Sequence, residues 1–219
     1  MRSQVIVVGL GQFGMALTKS LSQRGSEVIG VDKDEDKVQI ASAFAAEAIR
    51  MDATDESALA RLEPAKRDVC VCATGDQSRE AAIICTALLK QLGARRIISR
   101  ANDDLHKRIL QLVGADEIVN PEWAFGERFS NRIVYKKVLD EMSLGADLVI
   151  TEFSIPEVFV GKTLIQLDLR PRYGMIVVAI RRGAAGTVQL PDPNDVLSAE
   201  DILVVVSKEG AVARVMARS

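Results

Sequence analysis

The sequence has few of the side chains on which most enzyme chemistry depends. Its 219 residues include a single histidine, His106, and three cysteines, Cys70, Cys72 and Cys85. Cys70 and Cys72 alternate within an apolar strand-like run, which places both thiols on one face, and we expect buried structural thiols. His106 lies in a polar stretch, where we expect a solvated helix residue. A hydride-transferring enzyme would therefore lack an obvious proton donor.

The sequence also lacks a long apolar run and a strong excess of charge. No segment approaches the roughly 20 apolar residues that a membrane-spanning helix needs. Lys and Arg total 28 against 30 Asp and Glu, which gives a net charge of −2 and argues against nucleic acid or an anionic membrane surface as the main partner. Residues 1–4 lead directly into a strand-like run, without a signal-peptide pattern. We expect a cytoplasmic protein with no direct membrane insertion.

The first 32 residues carry the pattern of a dinucleotide-binding unit. The apolar run 5–8 leads into Gly9-Leu10-Gly11-Gln12-Phe13-Gly14, then into a helix-period segment and a second apolar run that ends in Asp32. A strand, G-x-G-x-x-G, a helix and an acidic residue about 20 positions later form the Rossmann fingerprint.

Each position of this motif has a physical role. Gly9 allows a sharp turn, Gly11 lets a diphosphate approach the backbone, and Gly14 lets the helix pack closely on the sheet. The free N–H groups of the first helical turn favour a phosphate, and Asp32 can accept hydrogen bonds from ribose hydroxyls. The motif predicts an adenine-nucleotide site, and it does not by itself predict a reaction.

Strand-like and helix-period segments alternate as far as residue 119. This alternation predicts a Rossmann-like, doubly wound parallel sheet over residues 1–120, with helices on both faces. Residues 146–219 are predicted to form a small α+β domain that associates with another copy, since a domain of this size buries little surface alone. Strands of the first domain are expected at 4–9, 27–32, 47–51, 67–73, 95–99 and 116–119.

Residues 121–145 are predicted to form one long crossover helix. Phe125, Phe129 and Ile133 lie on one helical stripe, and Val134, Val138 and Met142 lie beside it. This helix could pack on its own sheet. Alternatively it leaves the domain and packs against a partner chain, which we favour because five helices already flank the sheet.

The carboxyl ends of the strands select further candidate residues, because ligands of doubly wound sheets bind there. Asp52 could receive an adenine amino group, and Arg100 could reach a phosphate. The alternatives are helix capping for Asp52 and Asp76, a solvated cation for Arg100, and a carboxylate in a helix's first turn for Glu122. The predicted nucleotide-binding residues are Gly9, Gly11, Gln12, Phe13, Gly14, Asp32, Lys33, Asp52, Ala53, Thr74, Gly75 and Arg100.

These motifs resemble those of the RCK proteins, the cytosolic regulatory subunits of Ktr/Trk potassium transporters. The resemblance covers essentially the whole chain, and in the second domain it rests on Gly161-Lys162-Thr163-Leu164, Asp168-Leu169-Arg170 and Tyr173-Gly174. It implies an octameric ring beneath a membrane-embedded potassium transporter subunit. The resemblance also implies that the ring responds to ATP or ADP, or to NAD(H) in relatives. It also implies that Glu122 helps to bind a divalent cation such as Mg²⁺, or Na⁺.

One departure from the family pattern concerns the residue after the second glycine. Ktr-type proteins often carry an arginine there that reaches a γ-phosphate bound by a neighbour, whereas Gln12 is neutral. A charge-assisted contact is lost, so ATP/ADP and NAD/NADH both stay open. The second domain resembles one that binds cyclic di-AMP in some relatives, and Arg170, Tyr173, Gly174 and Ile176 fall in the matching region.

Two functions from different classes follow from the sequence. One is a nucleotide-sensing regulatory subunit of a potassium uptake system, which is not an enzyme. The other rests on the fingerprint alone and is a small NAD-dependent oxidoreductase or redox sensor.

Overall fold

The computed structural model describes residues 2–74, 79–183 and 186–216 and divides into two compact units, Met1–Glu122 and Trp123–Ser219. Gly75, which is predicted to bind nucleotide, and Asp76 lie outside the described residues. Within these ranges no helix combines the length and hydrophobicity that crossing a bilayer requires.

The first unit contains a six-stranded parallel sheet. Its strands are β1 Gln4–Val8, β2 Glu27–Asp32, β3 Glu47–Arg50, β4 Val69–Cys72, β5 Ile97–Arg100 and β6 Glu117–Val119. Their spatial order is β3-β2-β1-β4-β5-β6, and every neighbouring pair is parallel. The predicted Rossmann-like, doubly wound sheet is confirmed, and its strand order reverses between β1 and β4.

The helices of this unit begin in two different ways. They are α1 Gln12–Gln23, α2 Glu35–Ala41, α3 Glu56–Ala60, α4 Arg79–Gln91 and α5 Asp104–Leu112. The side chains of Asp34, Asp55 and Asp103 cap α2, α3 and α5 by accepting main-chain N–H groups of the first turn. Gly11 instead occupies the N-cap position before α1 and supplies no side-chain cap. The N–H groups of its first turn are therefore available to a ligand.

The core of the first unit lies on both faces of its sheet. Ile6 packs in the cluster that contains Cys70 and Cys72, whereas Val7 packs in the cluster on the opposite face. This alternation is typical of parallel strands covered on both sides. All three cysteines are free and buried, and burial raises the pKa of the Cys70 thiol to about 12. The prediction of structural thiols is thus confirmed for Cys70 and Cys72.

The prediction for His106 is wrong. The residue is only 3% exposed and lies one turn before the buried Leu110 on the inner face of α5. Its main-chain N–H donates to the capping carboxylate of Asp103 at 2.8 Å. The polar neighbours of His106 in the sequence lie on the outer face of the same amphipathic helix, which explains the error.

The second unit contains a five-stranded antiparallel sheet with the order β10-β9-β11-β8-β7. Its strands are β7 Val138–Gly145, β8 Leu148–Ser154, β9 Ile176–Arg182, β10 Thr187–Gln189 and β11 Ile202–Lys208. Helix α6 Pro121–Val134 starts at the end of the first unit. The remaining helices are α7 Leu164–Leu167, α8 Leu169–Tyr173 and α9 Ala211–Met216.

The prediction of a single helix over residues 121–145 is wrong for the second half of that segment. Helix α6 ends at Val134, and Val138–Gly145 is the edge strand β7, paired with β8. The connecting turn places Ala146 and Asp147 at φ +49° and +63°, as a tight hairpin turn requires. Leu, Glu and Met in this segment favour a helix, but pairing with β8 decides its conformation.

A buried carboxylate holds several turns of the second unit together. Asp201 is 2% exposed and accepts hydrogen bonds from Nη1 of Arg182 at 2.8 Å and from the main-chain N–H groups of Ser198 and Gly183 at 2.8 and 3.2 Å. Burial by itself would raise the pKa of Asp201, but these hydrogen bonds outweigh it and the net pKa lies below the ordinary 3.8. The charged form is therefore the one that stabilises the fold.

We predict that Asp201→Asn lowers the free energy of unfolding at pH 7 by about 2 kcal/mol, because an amide cannot serve all three donors. Because the pKa is lower in the folded state, the stabilisation is complete above about pH 4 and is lost as the pH falls through the folded pKa. Urea unfolding of the full chain at several pH values measures this. A difference between the two proteins that stays constant down to pH 3 would contradict the assignment.

Candidate nucleotide-binding site

A cleft of about 870 Å³ opens at the carboxyl ends of β1 and β4, where the strand order reverses. Its volume is typical of cavities that hold small ligands. Most of the residues predicted from the sequence line it, whereas Gly14 lies behind the loop. The predicted residues in the lining are Gly9, Gly11, Gln12, Phe13, Asp32, Lys33, Asp52, Ala53, Thr74, Arg100 and Glu122.

The three motif glycines are needed for different reasons. Gly9 has φ +92°, and a Cβ there would lie 2.9 Å from the main-chain nitrogen of Thr74. A Cβ on Gly14 would lie 1.8 Å from the carbonyl oxygen of Gly9, so α1 can approach the loop only without that atom. Gly11 has an ordinary φ of −67°, and a Cβ there would meet nothing within 4 Å. Neither backbone nor packing requires glycine at position 11, and the space beside it is part of the cleft.

Asp32 ties the glycine loop to the end of β2. Its Oδ2 accepts the N–H of Leu10 at 2.7 Å, and its Oδ1 accepts the N–H of Asp34 at 3.0 Å. The ammonium group of Lys37 lies 3.8 Å from Oδ2. A carboxylate offers about four acceptor sites, so Asp32 retains the capacity to accept hydroxyl donors from the cleft.

Asp52 is held by its own turn and does not cap a helix. Its Oδ1 accepts both the N–H of Thr54 at 2.9 Å and the Thr54 hydroxyl at 2.7 Å. These hydrogen bonds hold the pKa of Asp52 below its ordinary value, and the carboxylate is charged at neutral pH. The cap of α3 is Asp55, so the capping alternative for Asp52 is wrong.

Arg100 and Glu122 form a two-point ion pair at the rim of the cleft. Nη2 of Arg100 lies 2.7 Å from Oε1 of Glu122, and Nε lies 3.3 Å from Oε2. The side chain of Arg100 is only 13% exposed, so the solvated-cation alternative is wrong, whereas that of Glu122 is 59% exposed. Glu122 also lies in the first turn of α6, where the helix dipole favours a carboxylate.

Among the described residues, few side chains are placed to act as ligands for a metal cation. They contain no group of three or more His, Cys, Asp or Glu side chains that could hold a metal ion. The Glu122 carboxylate supplies the hard oxygen atoms that Mg²⁺ and Na⁺ prefer. It therefore fits a cation whose other ligands are water and nucleotide phosphates.

Reasoning from the sequence missed the four cleft residues that α2 and α4 supply, Lys37, Glu80, Ala81 and Ile84. Glu80 lies in the first turn of α4, the helix that follows β4 in the chain. Lys37 lies in the first turn of α2, the helix that follows β2 in the chain. The rule that selected the strand ends would have found both if it had been extended to the first turn of each following helix.

Comparisons with known proteins identify both units. The TrkA-N domain matches residues 5–121, and the TrkA-C domain matches residues 150–218. The chain is 37% identical over 214 residues to Ktr system potassium uptake protein C of Bacillus subtilis (strain 168), covering 98% of this chain and 96% of that protein. The chain belongs to the Ktr/Trk family of RCK proteins. Ktr system potassium uptake protein A of Vibrio alginolyticus is 35% identical, covering 96% of this chain and 94% of that protein.

Solved structures that resemble this chain share its fold. The crystal structure of the GsuK RCK domain superposes with a TM-score of 0.67 at 19% identity, covering 99% of this chain and 47% of that chain. The GsuK channel bound to NAD gives a TM-score of 0.66 at 18% identity, covering 97% of this chain and 38% of that chain. This chain therefore spans less than half of either structure.

The candidate residues of the second unit lie along one segment. Arg170 and Tyr173 belong to α8, Gly174 ends that helix at φ +68°, and Ile176 begins β9 with 47% of its surface exposed. The ring of Tyr173 contacts Phe159 at a centroid distance of 6.5 Å. The positive φ explains the glycine, because other residues adopt that conformation at a cost.

We predict opposite outcomes for alanine at two of the motif glycines. Gly11→Ala should leave the melting temperature nearly unchanged, but it should weaken nucleotide binding roughly tenfold because the methyl group occupies the cleft. Gly14→Ala should lower the free energy of unfolding by more than about 2 kcal/mol, since helix and loop must move apart. Thermal unfolding and calorimetric titration measure both effects. Unchanged nucleotide affinity in Gly11→Ala would place the ligand away from this loop.

Proposed function

We propose that this chain is a cytosolic, nucleotide-binding regulatory subunit of a Ktr-type potassium uptake system, and that it acts without catalysing a reaction. The observation that carries the proposal is the cleft at the strand-order reversal, in a chain that matches Ktr proteins over nearly its full length. Its membrane partner would be the potassium-conducting subunit of the same system.

The residues of the cleft suit a nucleotide with a diphosphate group. The uncapped first turn of α1 offers N–H groups and the positive end of the helix dipole to phosphate oxygens. Asp32 lies at the position that would receive ribose hydroxyls, and its charge would repel a 2′-phosphate. Gln12, Lys33, Ala53 and Thr74 would complete the walls of the site.

Which nucleotide binds most tightly depends on which of its phosphate groups contact a positively charged side chain or ion. Gln12 brings no charge to the loop, so we infer that a third phosphate gains little there and that NAD(H) competes with ATP and ADP. Arg100 lies in the cleft at the end of β5 and could contact a phosphate. A Mg²⁺ or Na⁺ ion bound at Glu122 would add positive charge beside the phosphates.

The proposed ring requires that the chain assemble, and α6 offers a surface for assembly. Phe125, Phe129 and Ile133 lie at four-residue spacing and are 65%, 41% and 68% exposed. The two phenyl rings stack with centroids 5.6 Å apart, which forms a continuous apolar stripe. Exposed apolar surface of this kind marks protein–protein contacts. We propose that α6 packs against another copy and that such dimers build the octameric ring.

The mechanism would be a shift in the population of ring shapes. A nucleotide changes the equilibrium only if it binds one shape more tightly than another. Ligands that differ in phosphate number and charge would make different contacts at the rim formed by Arg100 and Glu122. The favoured shape would then act on the membrane subunit by rigid-body movement.

The direct test is calorimetric titration with ATP, ADP, NAD⁺ and NADH, each with and without Mg²⁺. We predict that at least one binds and that Asp32→Ala weakens it roughly tenfold, because hydrogen bonds to a charged group are lost. Asp36→Ala is the matched control, since Asp36 is an exposed acid of the following helix. Equal affinities of the wild-type and Asp32→Ala proteins would place the ligand elsewhere, and turnover of NADH with small carbonyl compounds would favour an oxidoreductase.

Sedimentation analysis at micromolar concentration tests the assembly. We predict a species larger than a monomer, and we predict that Phe125→Asp with Ile133→Asp dissociates it, since burying two carboxylates in an apolar contact is unfavourable. Ile40→Asp, an exposed apolar position on α2, serves as the control. A wild-type chain that is monomeric with and without nucleotide would exclude a ring.

A further inference from the structure

We propose that Arg100 exchanges partners when a nucleotide binds: the Glu122 carboxylate holds it in this structure, and a nucleotide phosphate displaces that carboxylate. Glu122 then restrains nucleotide binding as well as supplying a ligand for a cation. This proposal rests on the proposed function, because it assumes that the cleft receives a nucleotide.

The geometry of the pair makes the two anions competitors. Arg100 uses Nε and Nη2 together on the two oxygens of Glu122, at 3.3 and 2.7 Å. Phosphate oxygens are bound by arginine through the same planar fork. A phosphate that takes this edge of the guanidinium group must first remove the carboxylate.

Burial indicates which partner moves. Arg100 ends β5, where its main chain pairs with Val119, and its side chain is 13% exposed. Glu122 lies one residue into α6, and its side chain is 59% exposed. Arg100 is thus held by the sheet, whereas the Glu122 side chain can rotate into water at little cost.

Arg100 differs from the other positively charged residues of the cleft in its position and in its partner. Lys33 and Lys37 also line the cleft, but Lys33 directly follows Asp32 in the chain, and the ammonium group of Lys37 lies within 3.8 Å of Asp32 and 3.5 Å of Asp34. The Asp32–Lys37 pair therefore serves the ribose end, and Arg100 serves the opposite wall. A cation on Glu122 would neutralise the carboxylate and release Arg100, so the exchange would couple cation binding to nucleotide binding.

The test is a double-mutant cycle in the full chain, titrated with ADP or NAD⁺ in a sodium-free buffer that contains EDTA. Glu122→Gln should raise the affinity about threefold to tenfold, because Arg100 no longer has a carboxylate partner. In the Arg100→Gln background, Glu122→Gln should leave the nucleotide affinity unchanged. Arg100→Met, a second neutral variant of similar length, should behave like Arg100→Gln and covers the case in which Arg100→Gln does not fold.

Glu80→Gln is the matched control, since Glu80 lines the same cleft and forms no ion pair with Arg100 within the described part of the chain. Glu80→Gln should change the nucleotide affinity by the same factor in the wild-type and Arg100→Gln backgrounds. If Glu122→Gln raised the affinity equally in both backgrounds, the rise would reflect charge repulsion alone and the proposed exchange would be overturned. If Glu122→Gln did not raise the affinity at all, the proposed exchange would be overturned as well. A wild-type chain that binds none of ATP, ADP, NAD⁺ and NADH, with or without Mg²⁺, would instead refute the proposed function.

Discussion

The cleft depends on how closely α1 approaches the end of β1. The Cα atom of Gly14 lies against the carbonyl oxygen of Gly9, at a distance that leaves no room for a Cβ. The hydroxyl of Thr18, one turn further along, donates to the carbonyl oxygen of Gly14 at 2.8 Å, and Asp32 accepts the N–H of Leu10. The loop is thereby fixed before any ligand arrives, and the first turn of α1 faces the point where the strand order reverses. Such preorganisation lowers the entropic cost of binding.

Two ion pairs already link charged side chains of the cleft. Asp32 lies near Lys37, and Arg100 is bound by Glu122. A site built only for tight binding would leave its cations free for the phosphates. A site whose ligand must rearrange existing pairs links occupancy to a change in the protein, and regulation requires such a link. In the proposed assembly, the exposed stripe on α6 is the route by which that change reaches other copies of the chain.

Local features of the sequence predicted the first unit well. The glycine spacing, the apolar runs and the aspartate after the second strand act over a few residues, so the doubly wound sheet and most of the cleft lining followed from them. Features that depend on distant pairing did not follow. Strand β7 forms only because β8 lies beside it, His106 is buried by the inward face of α5, and the contact between Arg100 and Glu122 joins a strand end to a helix start 22 residues later.

The most direct test of the account is a crystal structure of the chain with ADP or NAD⁺. We expect a diphosphate at the first turn of α1 beside Gly11, ribose hydroxyls on Asp32, and Arg100 turned from Glu122 to a phosphate oxygen. A nucleotide bound outside this cleft, or one that lies in it without contacting Asp32 or the glycine loop, would contradict the account.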